Sequence, residues 1–293
     1  MKKHLVLSMV VLLGGLLFLP ACTQDQKKKE IYLQLYSVRD DIKADYTGTI
    51  AQVAEMGYTG VEPAGYADGK FYGLTPAEFK KSIEDVGMEV LSSHTARPLN
   101  DDSIAATNWD EVWAWWDTAI QAHKEAGMKY IVFPWMNTPA TLADLQAYCD
   151  YFNQIGERCN AAGLRFGYHN HDFEFKEIEG QLMYDYMLNN TDPSKVFFQM
   201  DVYWLGEGGK DPVEYFNNYP GRFELLHIKD ELEIGQSGKV DFENIYNNAG
   251  TAGAKYMIVE VERYSEGLTP FESIKESIDF LNDAPYVKAS YSK

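Results

Sequence analysis

The chain has 293 residues, 45% of them hydrophobic and 14% aromatic, which suits one large domain with a substantial buried core. Its formal net charge of −18 argues against a nucleic-acid partner, whose phosphates demand a basic surface. The same field disfavours adsorption to anionic membranes.

Residues 1–22 read as a leader outside the fold. Lys2 and Lys3 precede the apolar run Leu5–Leu19, and Leu19-Pro20-Ala21-Cys22 follows. This resembles a bacterial lipoprotein signal, in which Cys22 becomes the lipidated first residue. Fifteen apolar residues are short for a membrane span. Residues 23–29 then read as a polar tether and residues 30–293 as the catalytic domain. The expectation is an exported lipoprotein, periplasmic or anchored to the outer membrane, touching the membrane only through a lipid on Cys22. Cys149 and Cys159 remain. Both fall in one predicted helix, roughly 15 Å apart and beyond disulfide reach, and read as core residues.

From Ile31 onward a strand, a polar loop, a helix and a glycine recur. Gly57, Gly87, Gly127 and Gly163 each follow a helical pattern and precede an apolar strand, as left-handed helix-end residues do. Strands are predicted near Ile31–Val38, Thr59–Pro63, Met88–Ser93, Lys129–Pro134, Leu164–His169, Val196–Asp201, Phe223–Lys229 and Tyr256–Glu262. Helices are predicted near Ile50–Met56, Pro76–Val86, Trp109–Ala126, Leu142–Ala162, Met183–Asn189, Pro212–Asn217, Phe242–Asn248 and Phe271–Leu281. Eight βα units without a second hydrophobic cluster favour an α/β fold of one closed (β/α)8 TIM barrel over a doubly wound sheet. Active sites in such barrels occupy the carboxyl ends of the strands.

The segment Arg97–Asp117 is long for a βα loop and carries Trp109, Trp113, Trp115 and Trp116. Their spacing favours helix packing over a sugar-stacking lid. Trp135, just past the fourth strand, is the better candidate for stacking on a sugar ring.

Chemistry gathers at the strand ends. His169 and His171 lie two residues apart after a strand-like run and share a face. Later runs end at Asp201, at His227 and at Glu260 with Glu262. Imidazoles and carboxylates converging from successive strands are what a divalent transition metal needs. Earlier strands deliver Glu62 and His94, read as substrate contacts together with Trp135, His171 and Tyr203. Any one buried ionisable residue is more often a satisfied structural group. Packing gives no reason to repeat one at the same register six times, since unpaired burial costs several kcal/mol each.

These strand ends resemble those of the xylose isomerase-like TIM barrels, a superfamily of sugar phosphate isomerases and epimerases. The resemblance spans about Glu30 to Leu281. It rests on LQLYSVRD (33–40), GVEPAG (60–65), SSHT (92–95), YHNHDFEF (168–175), MDVYW (200–204), LLHIKD (225–230) and IVEVE (258–262). It implies a single divalent ion held by strands five to eight, with Asp201, His227 and Glu260 in three of the four ligand positions. The fourth falls on His169, where epimerases of the family have glutamate, with His171 as the neighbouring alternative. That departure removes one of the two bases that epimerisation uses, because a ligating imidazole has no lone pair left. The HNH sequence is also similar to the strand-five motif of the inosose dehydratases of the superfamily, which perform elimination.

Two histidines with two carboxylates suit Mn²⁺, Co²⁺, Zn²⁺ or Mg²⁺, with Mn²⁺ the expected ion. Such an ion acidifies the proton next to a carbonyl and stabilises the enediolate. Glu260, or Glu262 beside it, is expected to take that proton, and Lys229 to steady an oxyanion or protonate a leaving group. The plainer reading of Lys229 is a salt bridge to Asp230 or Glu231. Export and the lack of a Gly-rich phosphate cradle point to neutral keto-sugars or 3-keto glycosides. The expected reaction is therefore a lyase or hydrolase step on a 3-keto glycoside, or a sugar isomerisation or epimerisation. The rivals are a metal-independent glycoside hydrolase, with Asp201 and Glu260 as its carboxylates, and a non-catalytic sugar-binding lipoprotein.

Overall fold

The structure is a computed structural model, and it describes residues 28–99 and 108–292. The leader, the tether up to residue 27 and the middle of the Arg97–Asp117 segment lie outside the described residues.

Eight parallel strands alternate with helices: β1 (Ile31–Gln34), β2 (Gly60–Glu62), β3 (Glu89–Val90), β4 (Tyr130–Phe133), β5 (Arg165–His169), β6 (Val196–Asp201), β7 (Leu225–Ile228) and β8 (Tyr256–Val259). Their hydrogen-bonded order is β3-β2-β1-β8-β7-β6-β5-β4. The two ends meet through a parallel bridge between His94 and Val132, where Val132 N donates to Ser93 O and Thr95 N to Val132 O, both at 2.9 Å. The sheet thus curls into the TIM barrel that the alternation predicted.

Apolar residues fill both sides of the wall. Outside, the helices pack on the strands in one large core. Inside, Tyr32, Leu91, Tyr130, Val132, Phe197, Leu225 and Ile258 plug the amino-terminal half of the lumen. Two strand glycines make room for the plug. A Cβ on Gly60 would lie 2.6 Å from the Tyr32 ring, and one on Gly167 would lie 2.5 Å from the Phe197 ring. Two residues further along each strand the inward positions turn polar: Gln34 follows Tyr32, Glu62 follows Gly60, Gln199 follows Phe197, His227 follows Leu225 and Glu260 follows Ile258. Burial at this level is complete or nearly so, with 3% exposure the highest among the five.

The helix-end glycines Gly57, Gly87, Gly127 and Gly163 have φ between +79° and +105°, as their positions required. Thr75 with Glu78, and Thr269 with Glu272, form reciprocal capping boxes ahead of Pro76–Glu84 and Pro270–Asp283. Cys149 and Cys159 are free and buried in Leu142–Ala162. Trp116 is buried in Trp109–Glu125, where its indole N–H donates to Tyr151 Oη at 2.5 Å, and Trp109 stacks on Trp113. These tryptophans pack helices.

Several short elements lie outside the predicted set. Short hairpins, Tyr66–Ala67 with Lys70–Phe71 and Glu177–Ile178 with Gln181–Leu182, decorate the loops after β2 and β5. The helix Val202–Glu207 begins directly at the end of β6.

Candidate metal centre

The last four strands deliver His169, Asp201, His227 and Glu260 to one place. A ligand atom from each lies within 4.8 Å of the others, and all four residues are buried. The pairing register carries the first part of this: Asp201 sits opposite His227 across β6 and β7, and Glu260 follows the last residue of β8.

Each ligand atom is aimed by a neighbour. Asp201 is the N-cap of Val202–Glu207, its Oδ1 accepting from Trp204 N at 2.9 Å, which leaves Oδ2 free. Asn170 extends the pairing of β5 and β6 past their ends. Its Oδ1 accepts from Asp201 N at 3.1 Å and from Tyr184 Oη at 3.2 Å, and its amide donates to Asp201 O at 3.3 Å. The middle residue of HNH is thus a clamp on the Asp201 backbone. The His171 N–H donates to Glu174 Oε2 at 2.8 Å, and Tyr168 Oη donates to Glu174 Oε1 at 2.7 Å. Burial pushes Glu174 up to about 8.

His227 shows how the two halves of the barrel meet. Its Nδ1 lies 3.4 Å from Glu260 Oε2 and its Nε2 lies 2.7 Å from Glu62 Oε1. Burial opposes charge on this ring, but the hydrogen bonds to Glu260 and Glu62 outweigh it and lift the pKa to about 10. His169 makes the opposite case. Burial, with His227, His94 and His171 around it, holds it well below the usual histidine value, and its Nδ1 has no partner. Asp201 Oδ2 is likewise buried without a partner, and burial pushes that carboxyl up to about 7 despite nearby Lys229.

Two orphaned buried acceptors beside a histidine and a carboxylate form a donor set of two nitrogens and two oxygens. That set fits a divalent cation. On His227, Glu62 would keep the Nε2 proton while Nδ1 turned to the ion, the carboxylate–histidine pairing that fixes tautomer and ring direction.

A cavity of about 400 Å³ opens above the cluster, lined by Tyr36, Ala64, His94, Pro134, Trp135, His169, His171, Glu260 and Glu262. Of the expected substrate contacts, His94, Trp135 and His171 therefore face it. Glu62 does not. It is fully buried and accepts from Gln34, Ser92, Gln199 and His227, with His94 Nε2 at 3.1 Å. Every lone pair is used within the protein, so the expected substrate contact becomes a support for His227. Tyr203 is also misplaced. It is buried with its ring tilted against Trp204, and the residue near the site is Trp204, 6.0 Å from the His171 ring.

Lys229 corrects both of its readings. Its Nζ lies 3.2 Å from Glu262 Oε1 and 3.5 Å from Glu260 Oε2, over the Trp204 ring at 5.7 Å. Asp230 instead accepts from Ser237, and Glu231 pairs with Lys239. Burial works against the Lys229 charge, but Glu260, Asp201 and Glu262 overcome it and raise the pKa. Lys229 is only 2% exposed and is not part of the cavity wall. It holds Glu260 and Glu262 in place.

The two histidines of the motif also separate. His169 belongs to the cluster of four, whereas His171 lies outside it and stacks on Phe173 at 5.8 Å. Glu260 and Glu262 divide the same way, Glu260 inside the cluster and Glu262 above it.

Residues 50–284 match the xylose isomerase-like TIM barrel family. A crystal structure described as a sugar phosphate isomerase/epimerase from Parabacteroides distasonis is 37% identical, covers 89% of this chain and all of that one, and superposes with a TM-score of 0.82. The inosose dehydratase of Geobacillus kaustophilus is 24% identical over 70% of this chain and 71% of its own. A D-allulose 3-epimerase from Methylomonas, solved with D-allulose, shares the fold at 13% identity, with a TM-score of 0.68 over 87% of this chain and 97% of that one. With 235 of its residues on the family pattern and a crystallised relative along nearly its whole length, the chain belongs to the xylose isomerase-like TIM barrel family.

Proposed function

We propose that this protein is a divalent-metal-dependent sugar-modifying enzyme that removes a proton next to a carbonyl and then expels a β-leaving group, with a 3-keto glycoside as substrate. The convergence of His169, Asp201, His227 and Glu260 beneath an open cavity is the observation that carries the reading. A divalent cation held by these four, Mn²⁺ being preferred, would supply a Lewis acid for the charge that develops on the carbonyl oxygen.

The chain's own groups do the rest. Glu260 is committed to the cluster, so Glu262, on the cavity wall and outside the cluster, takes the C2 proton. Lys229 keeps that carboxylate in place at 3.2 Å. The C2–H electron pair forms the C1–C2 double bond, the C1–O bond breaks, and the departing oxygen receives the proton that Glu262 carries. The products are an unsaturated 3-keto sugar and the free aglycone, with no net oxidation. One base suffices, which agrees with an imidazole at His169 and with relatives that are dehydratases by name. The leader-like residues 1–22 favour a neutral glycoside over a phosphorylated sugar, and they make the protein an exported lipoprotein in this reading.

The test is incubation with Mn²⁺ and a 3-keto glycoside in D₂O, followed by NMR. Aglycone release that EDTA, Glu260→Gln and Glu262→Gln each abolish supports the reading, provided Glu262→Gln still binds metal and Glu260→Gln does not. Cleavage of the unoxidised glycoside without metal would assign the protein to the glycoside hydrolases instead.

A further inference from the structure

Among the described residues the exposed large apolar side chains are Tyr36, Val86, Trp135 and Phe280. Val86 and Phe280 lie away from the cavity. Tyr36 and Trp135, 43% and 48% exposed, both line it. Tyr36 follows β1 and Trp135 follows β4, three strands apart in the closed circle of eight, so they stand nearly across the mouth from one another.

Neither ring is a loose surface residue. Gln34 Oε1 accepts from Tyr36 N at 3.0 Å, and the Arg39 guanidinium covers one face of the Tyr36 ring at 4.5 Å from its centre. Phe173 meets the Trp135 ring edge-on at 6.4 Å, and Pro134 precedes it on the cavity wall. Both aromatics are thus held in place with much of their apolar surface in water. Rigid aromatic faces at a cavity mouth gain most by covering a flat apolar ligand surface.

The lumen below is closed. Tyr32, Phe197 and their neighbours plug it, and the polar layer above them is hydrogen-bonded to itself around Glu62. A sugar whose reacting carbons lie at Glu262 and the ligand cluster can therefore extend only outward, past Tyr36 and Trp135.

We propose that Tyr36 and Trp135 form a leaving-group subsite that selects glycosides whose aglycone is a ring, aromatic or sugar, over those with a small alkyl aglycone. This rests on the glycoside reading above and names the part of the substrate that the reading leaves open. Tyr36 acts here as a specificity residue.

The experiment compares phenyl, glucosyl and methyl 3-keto glucosides in steady-state turnover with Mn²⁺, and their unoxidised parents in calorimetric binding. The wild type is expected to prefer each ring-bearing compound by at least tenfold in kcat/KM, mostly through KM. Tyr36→Ala and Trp135→Ala should each cut that preference severalfold, while Tyr36→Phe and Trp135→Phe preserve it. Preference for the phenyl compound alone assigns the subsite to aromatic aglycones, and preference for the glucosyl compound alone assigns it to sugars. Equal efficiency on all three in the wild type overturns the subsite while leaving the reaction standing. Ring-selective binding without turnover overturns the reaction and keeps the subsite, and neither binding nor turnover overturns both.

Discussion

Glu62 and Asp201 are two fully buried carboxylates projecting into the same barrel, and they are in opposite conditions. Burial drives both towards the neutral acid. At Glu62 the histidines His94 and His227 overcome it, and donors from four strands or strand ends fill the carboxylate, so it stays well below the usual carboxylate range. At Asp201 burial prevails, Glu260 adds to it, and Oδ2 has no partner, so the group rises to about 7. Around Glu62, polar groups from both halves of the barrel satisfy one another. At the ends of β5 and β6, His169 Nδ1 and Asp201 Oδ2 are left without a partner, and that is where the proposed cation would sit.

The contrast is broken most severely by removing a ligand. Asp201→Ala and His227→Ala should each lower Mn²⁺ affinity at least 100-fold in equilibrium dialysis, with the secondary structure by circular dichroism unchanged. Retention of parental affinity in both would show that the open acceptors are not ligands.

A histidine outside the site sharpens the comparison by showing what burial alone does. His123 is fully buried among Tyr66 and Phe71, with Nδ1 donating to Ala119 O at 2.6 Å and Thr95 Oγ1 donating to Nε2 at 3.0 Å. Burial holds its pKa down at about 4, so the folded state keeps it neutral while the unfolded chain takes up a proton below about 6.5. Its contribution is therefore present above pH 6.5 and lost as the pH falls towards 4, by roughly 3 kcal/mol. Urea unfolding at pH 7 and pH 4 should show the His123→Gln variant losing that much less stability than the wild type. Equal losses would mean that His123 is protonated in the fold.

Glu62→Gln tests the satisfied carboxylate. Gln keeps the shape but can no longer accept from five groups, and His227 loses the anion that fixes its Nε2 proton. Metal affinity should fall about 10–100-fold, the range for an outer-shell partner, less than the loss expected for Asp201→Ala. No change in affinity would reduce Glu62 to packing. The smallest effect is expected far from both carboxylates. Thr269→Ala, which removes the cap of Pro270–Asp283, should cost about 1 kcal/mol in urea unfolding and leave metal affinity untouched.

Much of this was legible because backbone punctuation and side-chain type coincide. Glycine after each of the first four predicted helices set the βα rhythm, and the two-residue strand period placed Asp201, His227 and Glu260 on the inner face. The period does not give depth. Glu62 and Glu260 alternate alike, and only the neutral neighbours Gln34, Ser92 and Gln199 put Glu62 under the site. The hairpins at Asp68-Gly69 and Glu179-Gly180 carry a short-turn signal, since all four residues have positive φ, but they lay within segments read as plain loops. The helix at Val202 was hidden because Asp201 reads equally well as a strand end and as a helix cap. In the structure it is both. That double role turns Trp204 rather than Tyr203 towards the site.

The central claim is that His169, Asp201, His227 and Glu260 hold one divalent ion. Crystals grown with Mn²⁺ and measured at the manganese absorption edge test it directly. A single anomalous peak is expected among Asp201 Oδ2, a ring nitrogen of His169, His227 Nδ1 and a Glu260 oxygen, with His171 and Glu262 outside its coordination. No peak in the barrel, or one coordinated by His171 in place of His169, would contradict it.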